Sequence, residues 1–374
     1  MFLACTCAIL IYFISFYFST KQKLIYCEKT GVHGIWKLST SSFYFIVFIV
    51  IVVLVSTVRY GFIDTYAYKI MYTSSRNNLN YVNSAPWGVE VGWLYLCYLL
   101  NYISRSPKLI LFLSALIINL SYCKMTKKYS IDSIFSLIVY FSILFMDTNN
   151  GIRQLVAAGI TTLAFPLLTR KDIKSFILYL MFVYLAMQFH ESAIVCLIIS
   201  VVVKGNALNI KVVLTLILGI IFLVRADLVN MYIGDLFQDS KYLFYLEFDD
   251  YGMSFLRAFI MGILPALLAI LYIVKQRFLL KSKIDSTEAI LLNVLLINSV
   301  FVLMGLDMQY WARFSFYTSF AYIVLAPKLI LDPFKKSNFR IVKILAISCY
   351  VVFFVYNIYV NSVYGSLNQF YIDL

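Results

Sequence analysis

The chain has 374 residues, of which 62% are hydrophobic and only 13% charged, and its formal net charge is +13. A soluble protein of this length has too little interior to hide so much apolar surface, so an ordinary soluble domain is excluded and lipid must cover much of it. Continuous apolar runs of roughly 15 to 20 residues exclude a transmembrane barrel, which would alternate over shorter segments, and predict an all-α polytopic integral membrane protein.

Residues 2–18 lack a basic leader and a small-residue cleavage site, and are read as a retained first helix. Further helices are predicted over 42–58, 108–123, 131–147, 152–169, 174–190, 191–203, 211–225, 255–274, 288–304, 311–330 and 341–360, about twelve in all. The run 89–103 is shorter and carries Glu90 at its start. If it crossed the membrane, Lys124, Lys127 and Lys128 would fall on the side opposite their basic neighbours. A short re-entrant or interfacial helix on the outer side fits better.

With both ends outside, segments 19–41, 124–130, 169–175, 204–211, 275–287 and 328–343 face inward and hold most of the Lys and Arg. That bias is an orientation signal, and the net charge needs no nucleic acid to explain it. Residues 1–374 are read as a single transmembrane domain with two long outward-facing segments, 59–107 and 226–254. The seven cysteines show no metal-type spacing and are expected to be buried free thiols. No cofactor or metal is expected.

Candidate site residues fall on the outward side. Asp64-Thr65-Tyr66-Ala67-Tyr68 and Glu90-Val91-Gly92-Trp93 set carboxylates beside aromatic rings, a pairing that suits sugars and equally suits an interfacial belt. Thr148, Asn149 or Asn150 can cap the helix that opens Ile152-Arg153-Gln154. Its free N–H groups and the Arg153 guanidinium together favour a phosphate. Small residues at 157, 158, 161, 162 and 164 predict tight packing of that helix, which argues against Arg153 reaching out to lipid. His190 ends a wholly apolar run, where an imidazole can act as a base or donate to a bridging oxygen. Arg257 and Arg313 each open a helix and can clamp a diphosphate or anchor at the interface. Arg59 and Arg225 end helices and are read as anchors. Segment 226–254 is either a lid over a saccharide channel or an amphipathic surface helix.

Four ordered pieces, Asp64-x-x-x-Tyr68, Glu90-x-Gly92, Ile152-Arg153-Gln154 and Phe189-His190-x-Ser192-Ala193, resemble the EpsG-like and Wzy-type polysaccharide polymerases of bacterial envelopes. Arg313 resembles a later arginine of that family. The resemblance implies a fold allied with the C-type glycosyltransferase superfamily and a glycosyltransferase, which the absence of His-Glu-x-x-His and Asp-x-Asp motifs leads us to expect to be metal-independent. It would join undecaprenyl-diphosphate-linked repeat units into O-antigen or exopolysaccharide at the bacterial inner (cytoplasmic) membrane. Its active site would face the periplasm, with undecaprenyl diphosphate as leaving group. A chain-length regulator and a flippase are the implied companions. Within this reading His190, Arg153, Asp64 and Glu90 are the catalytic candidates, and Arg153, Arg313 and Arg257 the diphosphate-binding ones. A lipid-linked oligosaccharide flippase and an O-antigen ligase remain the alternatives.

Overall fold

A computed structural model describes residues 2–27, 35–59, 64–225 and 252–363. These residues are mainly helical, with one antiparallel pair of four-residue strands, β1 (Leu24–Cys27) and β2 (Ile35–Leu38). The chain packs as two compact units, one of Met1–Ala164, Tyr184–Ala193 and Ile323–Leu374, the other of Phe165–Val183 and Ile194–Tyr322.

In chain order the first unit holds α1 (Phe2–Thr20), α2 (Ser42–Val58), α3 (Thr65–Ser74), α4 (Leu79–Ser84), α5 (Val91–Leu100), α6 (Lys108–Tyr129), α7 (Ser133–Thr148) and most of α8 (Ile152–Leu168). Its last helix is α16 (Phe339–Val363). The axis of this unit is α7, in which every residue from Asp132 to Met146 is buried. Helices α1, α6 and α16 pack on α7, and α2 lies along α6. Aromatic contacts fill the joints: Tyr122 stacks on Tyr140 at 4.3 Å, and Phe141 lies 5.0 Å from Phe354. The outer face of α2 exposes Ile46, Val50 and Leu54 at helical spacing, while Phe45, Phe48 and Val52 point inward. Both faces are apolar, as expected where one meets protein and the other meets lipid.

At the Asp132 end of α7 a buried ion pair ties three elements. Lys343 lies 2.5 Å from the Asp132 carboxylate, and its ammonium also donates to Ser19 Oγ and Gln22 Oε1, each at 2.9 Å. Gln22 Nε2 donates to the other Asp132 oxygen at 3.0 Å, and that oxygen caps α7 through Phe135 N.

The second unit continues with α9 (Ile173–Met187), most of which it contains, α10 (Val195–Val202), α11 (Ile210–Val224) and α12 (Phe255–Leu279). It ends with α13 (Ser286–Met304), the bent element α14 (Gln309–Tyr317) and the start of α15 (Ser319–Leu331). Residues 289–300 of α13 are all buried. Two asparagines on this helix fix its surroundings. Asn293 bonds the turn at Val203, Asn206 and Leu208. Asn298 accepts from Thr318 at 3.1 Å and donates to the Met261 carbonyl at 3.3 Å.

Among the described residues four helices are long and apolar enough to cross a membrane: α6, α12, α13 and residues Phe339–Val360 of α16. The pair α14–α15, bent by 74°, makes a fifth if counted as one span. The remaining apolar helical stretches have 10–17 residues, among them Ala4–Thr20 within α1 and Glu191–Val202, which includes α10, so the expected dozen rests partly on stretches shorter than a hydrocarbon core of about 30 Å. α5, with ten residues, is among the shortest, in keeping with the non-spanning role expected of run 89–103.

Several boundaries differ from the sequence expectation. Lys124, Lys127 and Lys128 extend α6 rather than forming a loop, and the last two sit in its final turn, where cations favour the helix dipole. Run 191–203 begins as a 3₁₀ turn, and 311–330 is broken at Thr318, whose hydroxyl donates to Asn298. Helix α12 runs on to Leu279 through two π-helical stretches. The expected lid or surface helix of 226–254 lies almost wholly outside the described residues.

Candidate functional site

The four motif pieces of the first unit meet at the end of α7 opposite Asp132. The α7 helix has 16 residues and is therefore about 24 Å long, which separates this cluster from the Lys343–Asp132 pair.

Gly92 makes the meeting possible. A Cβ there would lie 2.6 Å from both the Cβ and the carbonyl oxygen of Gln188, so only glycine lets the first turn of α5 rest on the end of α9. Across that contact Trp93 N donates to the Gln188 carbonyl at 3.1 Å. The same approach carries Glu90, at the N-cap position of α5, to two partners. One carboxylate oxygen accepts from the backbone N–H of Glu191 at 3.1 Å, and the other is ion-paired with Arg153 Nη1. Glu90 is buried, with 4% of its side chain exposed, whereas Arg153 retains 20%. The arginine side chain thus stays partly exposed while Nη1 is held in place.

One turn into α8, Gln154 Nε2 donates to Ser192 Oγ at 3.1 Å. Ser192 lies against the His190 ring: its hydroxyl is 2.7 Å from Nδ1, and its backbone N–H also donates to Nδ1 at 3.3 Å. Sequence pattern put Ser192 and Gln154 next to His190 and Arg153 but gave them no task. Here both support the imidazole.

Asp64 occupies the N-cap position of α3, although its carboxylate makes no capping bond there. Tyr68, one turn on, packs edge-on against Trp93 with ring centroids 5.7 Å apart, which sets α3 on α5. The residue missed by the sequence reading is Arg59. Rather than anchoring in lipid headgroups it is 1% exposed. Its guanidinium donates to Thr65 Oγ1 and Asn149 Oδ1, each at 3.0 Å, and to the Ser56 carbonyl. It joins α2, α3 and the α7–α8 turn. Nothing in the sequence distinguishes it from Arg225, since both simply follow an apolar helix.

The expected cap of α8 is not what Thr148 and Asn149 provide. Both side chains donate to the Phe145 carbonyl at 2.7 Å and so close the end of α7 instead. The connection to Ile152 is too short to free them from that last turn. Buried donors nonetheless remain here: Arg59 Nη2, Trp93 Nε1 and Arg153 Nε meet no acceptor among the described residues.

Arg257 and Arg313 belong to the second unit. Ser254 Oγ caps the first turn of α12 by accepting from Arg257 N at 3.4 Å. Arg313 does not open the long helix, which starts at Ser319. It begins a 3₁₀ turn, with its guanidinium 4.5 Å from the Tyr310 ring centre. Met253 N donates to the Gly305 carbonyl at 2.6 Å, and a Cβ on Gly305 would touch Ala312. The entries to α12 and α14 therefore share one end of this unit.

A family model described as the EpsG family matches residues 42–372. No curated protein and no solved structure matches the chain. The match covers most of the sequence, and the chain belongs to the EpsG family. Membership points to a polysaccharide polymerase, broadly a glycosyltransferase, working in a membrane.

Proposed function

We propose that this EpsG-family protein polymerises lipid-diphosphate-linked oligosaccharide repeat units at the outer face of the bacterial cytoplasmic membrane. The donor is a growing glycan on undecaprenyl diphosphate and the acceptor a single repeat unit on the same carrier. The acceptor's sugar oxygen bonds to the donor's anomeric carbon as the bond from that carbon to the diphosphate oxygen breaks, with its electron pair leaving on the diphosphate.

The observation that carries this reading is the joining of Glu90, Arg153, Gln154, His190 and Ser192 into one bonded cluster. Negative charge grows on the diphosphate in the transition state, so a fixed cation acts most strongly there. Arg153, held by Glu90 and partly exposed, supplies that cation. Surplus buried donors nearby favour an anionic guest over a neutral one. Asp64 and Glu90 are proposed to orient the acceptor, and His190 to act on an oxygen of the reacting groups. Arg257 and Arg313 are proposed as further diphosphate contacts, and the shorter apolar helices as additional spans towards twelve. A flippase partner delivers the repeat units, and a chain-length regulator sets how many are joined.

The test uses purified protein with a synthetic lipid-diphosphate-linked repeat unit, with and without chelator, and product lengths resolved on a gel. Wild type should give a ladder unaffected by chelator. Arg153→Ala and His190→Ala should each slow extension by about 100-fold, the usual cost of losing one transition-state donor. Ladders unchanged in both variants would reject the assignment.

A further inference from the structure

We infer that Ser192 and Gln154 hold His190 with its proton on Nε2, so that His190 serves the reaction as a hydrogen-bond donor and not as its base. The inference rests on the polymerase reading above and assigns a role within it.

Three bonds support it. The Ser192 backbone N–H is aimed at His190 Nδ1. A backbone amide can only donate, so Nδ1 must offer a lone pair, and the neutral ring then carries its proton on Nε2. Ser192 Oγ, 2.7 Å from the same nitrogen, can donate its one proton there while one of its lone pairs accepts from Gln154 Nε2. The arrangement is a relay with one direction: amide to hydroxyl to imidazole. The second lone pair of the hydroxyl offers the alternative of accepting from a protonated Nδ1. That alternative sets two N–H groups against each other across 3.3 Å, with no acceptor between them. The relay also has independent anchors, because Glu191 N is held by Glu90, the residue that holds Arg153. Ring and guanidinium are therefore positioned from the same carboxylate.

A neutral imidazole protonated at Nε2 cannot take the acceptor's proton at that nitrogen, and Nδ1 is turned to Ser192. It can instead donate a hydrogen bond to an oxygen of the departing diphosphate and share its charge with Arg153. The balance closes without a protein base. The acceptor oxygen bonds to the anomeric carbon, the diphosphate leaves with the electron pair, and the acceptor's hydroxyl proton passes to a diphosphate oxygen. Ser192 and Gln154 are positioning residues, since they act only through the ring.

Two measurements test this. The chain contains only two histidines, His33 and His190, so ¹⁵N-histidine labelling of the detergent-solubilised protein gives two ring systems, assigned with His33→Gln. His190 should show a bare, pyridine-type Nδ1 and a protonated Nε2, and Ser192→Ala should convert this to a mixture of tautomers that Ser192→Thr restores. A protonated Nδ1 in wild type overturns the inference, as does an unchanged tautomer in Ser192→Ala. The second measurement compares His190→Gln with His190→Ala in the gel assay. A glutamine amide can donate from nearly the place of Nε2 but cannot act as a base. Retention of His190→Gln activity within about 10-fold of wild type, beside a loss of about 100-fold in His190→Ala, is the expected result. His190→Gln as inactive as His190→Ala, in protein with a wild-type melting curve, overturns it. Failure of the polymerase reading looks different, because wild type itself would then extend nothing.

Discussion

Glu90 and Arg153 read from sequence as separate candidates, one for acid–base work and one for phosphate, yet they form a single ion pair. Groups that act as a unit lose their effect together, so their substitutions should not add. Glu90→Gln should slow chain extension nearly as much as Arg153→Ala, and the double variant should be no slower than the worse single one. Rates that multiply across the double variant would show two independent roles. Arg59 makes a contrasting case. An interfacial anchor would tolerate lysine, but a lysine has one ammonium and cannot bridge Thr65 and Asn149 as the guanidinium does. Each hydrogen bond to a buried charge is worth about 1.5–3 kcal/mol. Arg59→Lys should therefore lower the apparent Tm in detergent, and an unchanged Tm would return Arg59 to the role of an anchor. Its part was illegible in the sequence because it depends on Asn149, 90 positions away.

Among the elements, the contact between α5 and the end of α9 carries the site. Gly92→Ala forces a methyl into a space 2.6 Å from backbone and side-chain atoms of Gln188. Overpacking of this kind costs about 1–3 kcal/mol, and here it also draws Glu90 away from Glu191 N. We expect a lower Tm together with loss of extension; full activity would mean that the approach is not needed. The opposite end of α7 supplies a control. Lys343→Ala leaves Asp132 as an unpaired buried carboxylate, which costs about 3–5 kcal/mol, while protein that remains folded should keep its polymerase rate. Asp172, outside the spans, tests a helix cap. Its carboxylate accepts from Ser175 N at 2.7 Å, and that bond holds its pKa below the ordinary 3.8. Because the folded value is the lower one, the cap stabilises at higher pH and is lost as pH falls through that value. The Tm difference between wild type and Asp172→Ala should accordingly vanish in strong acid, and a difference that persisted there would show a packing effect instead. Capping bonds such as those of Asp172, Asn209 and Asp285 reach only two or three residues along the chain. The bond from Thr318, at the break before α15, to Asn298 on another helix spans 20 positions and leaves no such local signal.

For the whole molecule, composition alone announced apolar helices, and the four motif pieces between residues 64 and 193 come together in the structure. Helix number was harder to read. In lipid both faces of a helix such as α2 are apolar, so periodicity does not separate the protein side from the lipid side. Run length then has to stand in for burial, and it places helix ends poorly when a basic turn, as in α6, or a π-helical stretch, as in α12, continues the helix. What the sequence could not supply at all were the bonds that make neighbours of distant pieces: Glu90 to Glu191, Gln154 to Ser192, Arg59 to Asn149. If these bonds enclose the place where a lipid diphosphate reacts, a photoreactive glycan on such a lipid should mark it. Irradiated with wild-type protein and digested, it should label peptides around Glu90, Arg153 and His190, and unlabelled substrate should compete that signal away. Labelling confined to the Lys343–Asp132 end of α7, or none that substrate can displace, would contradict the account.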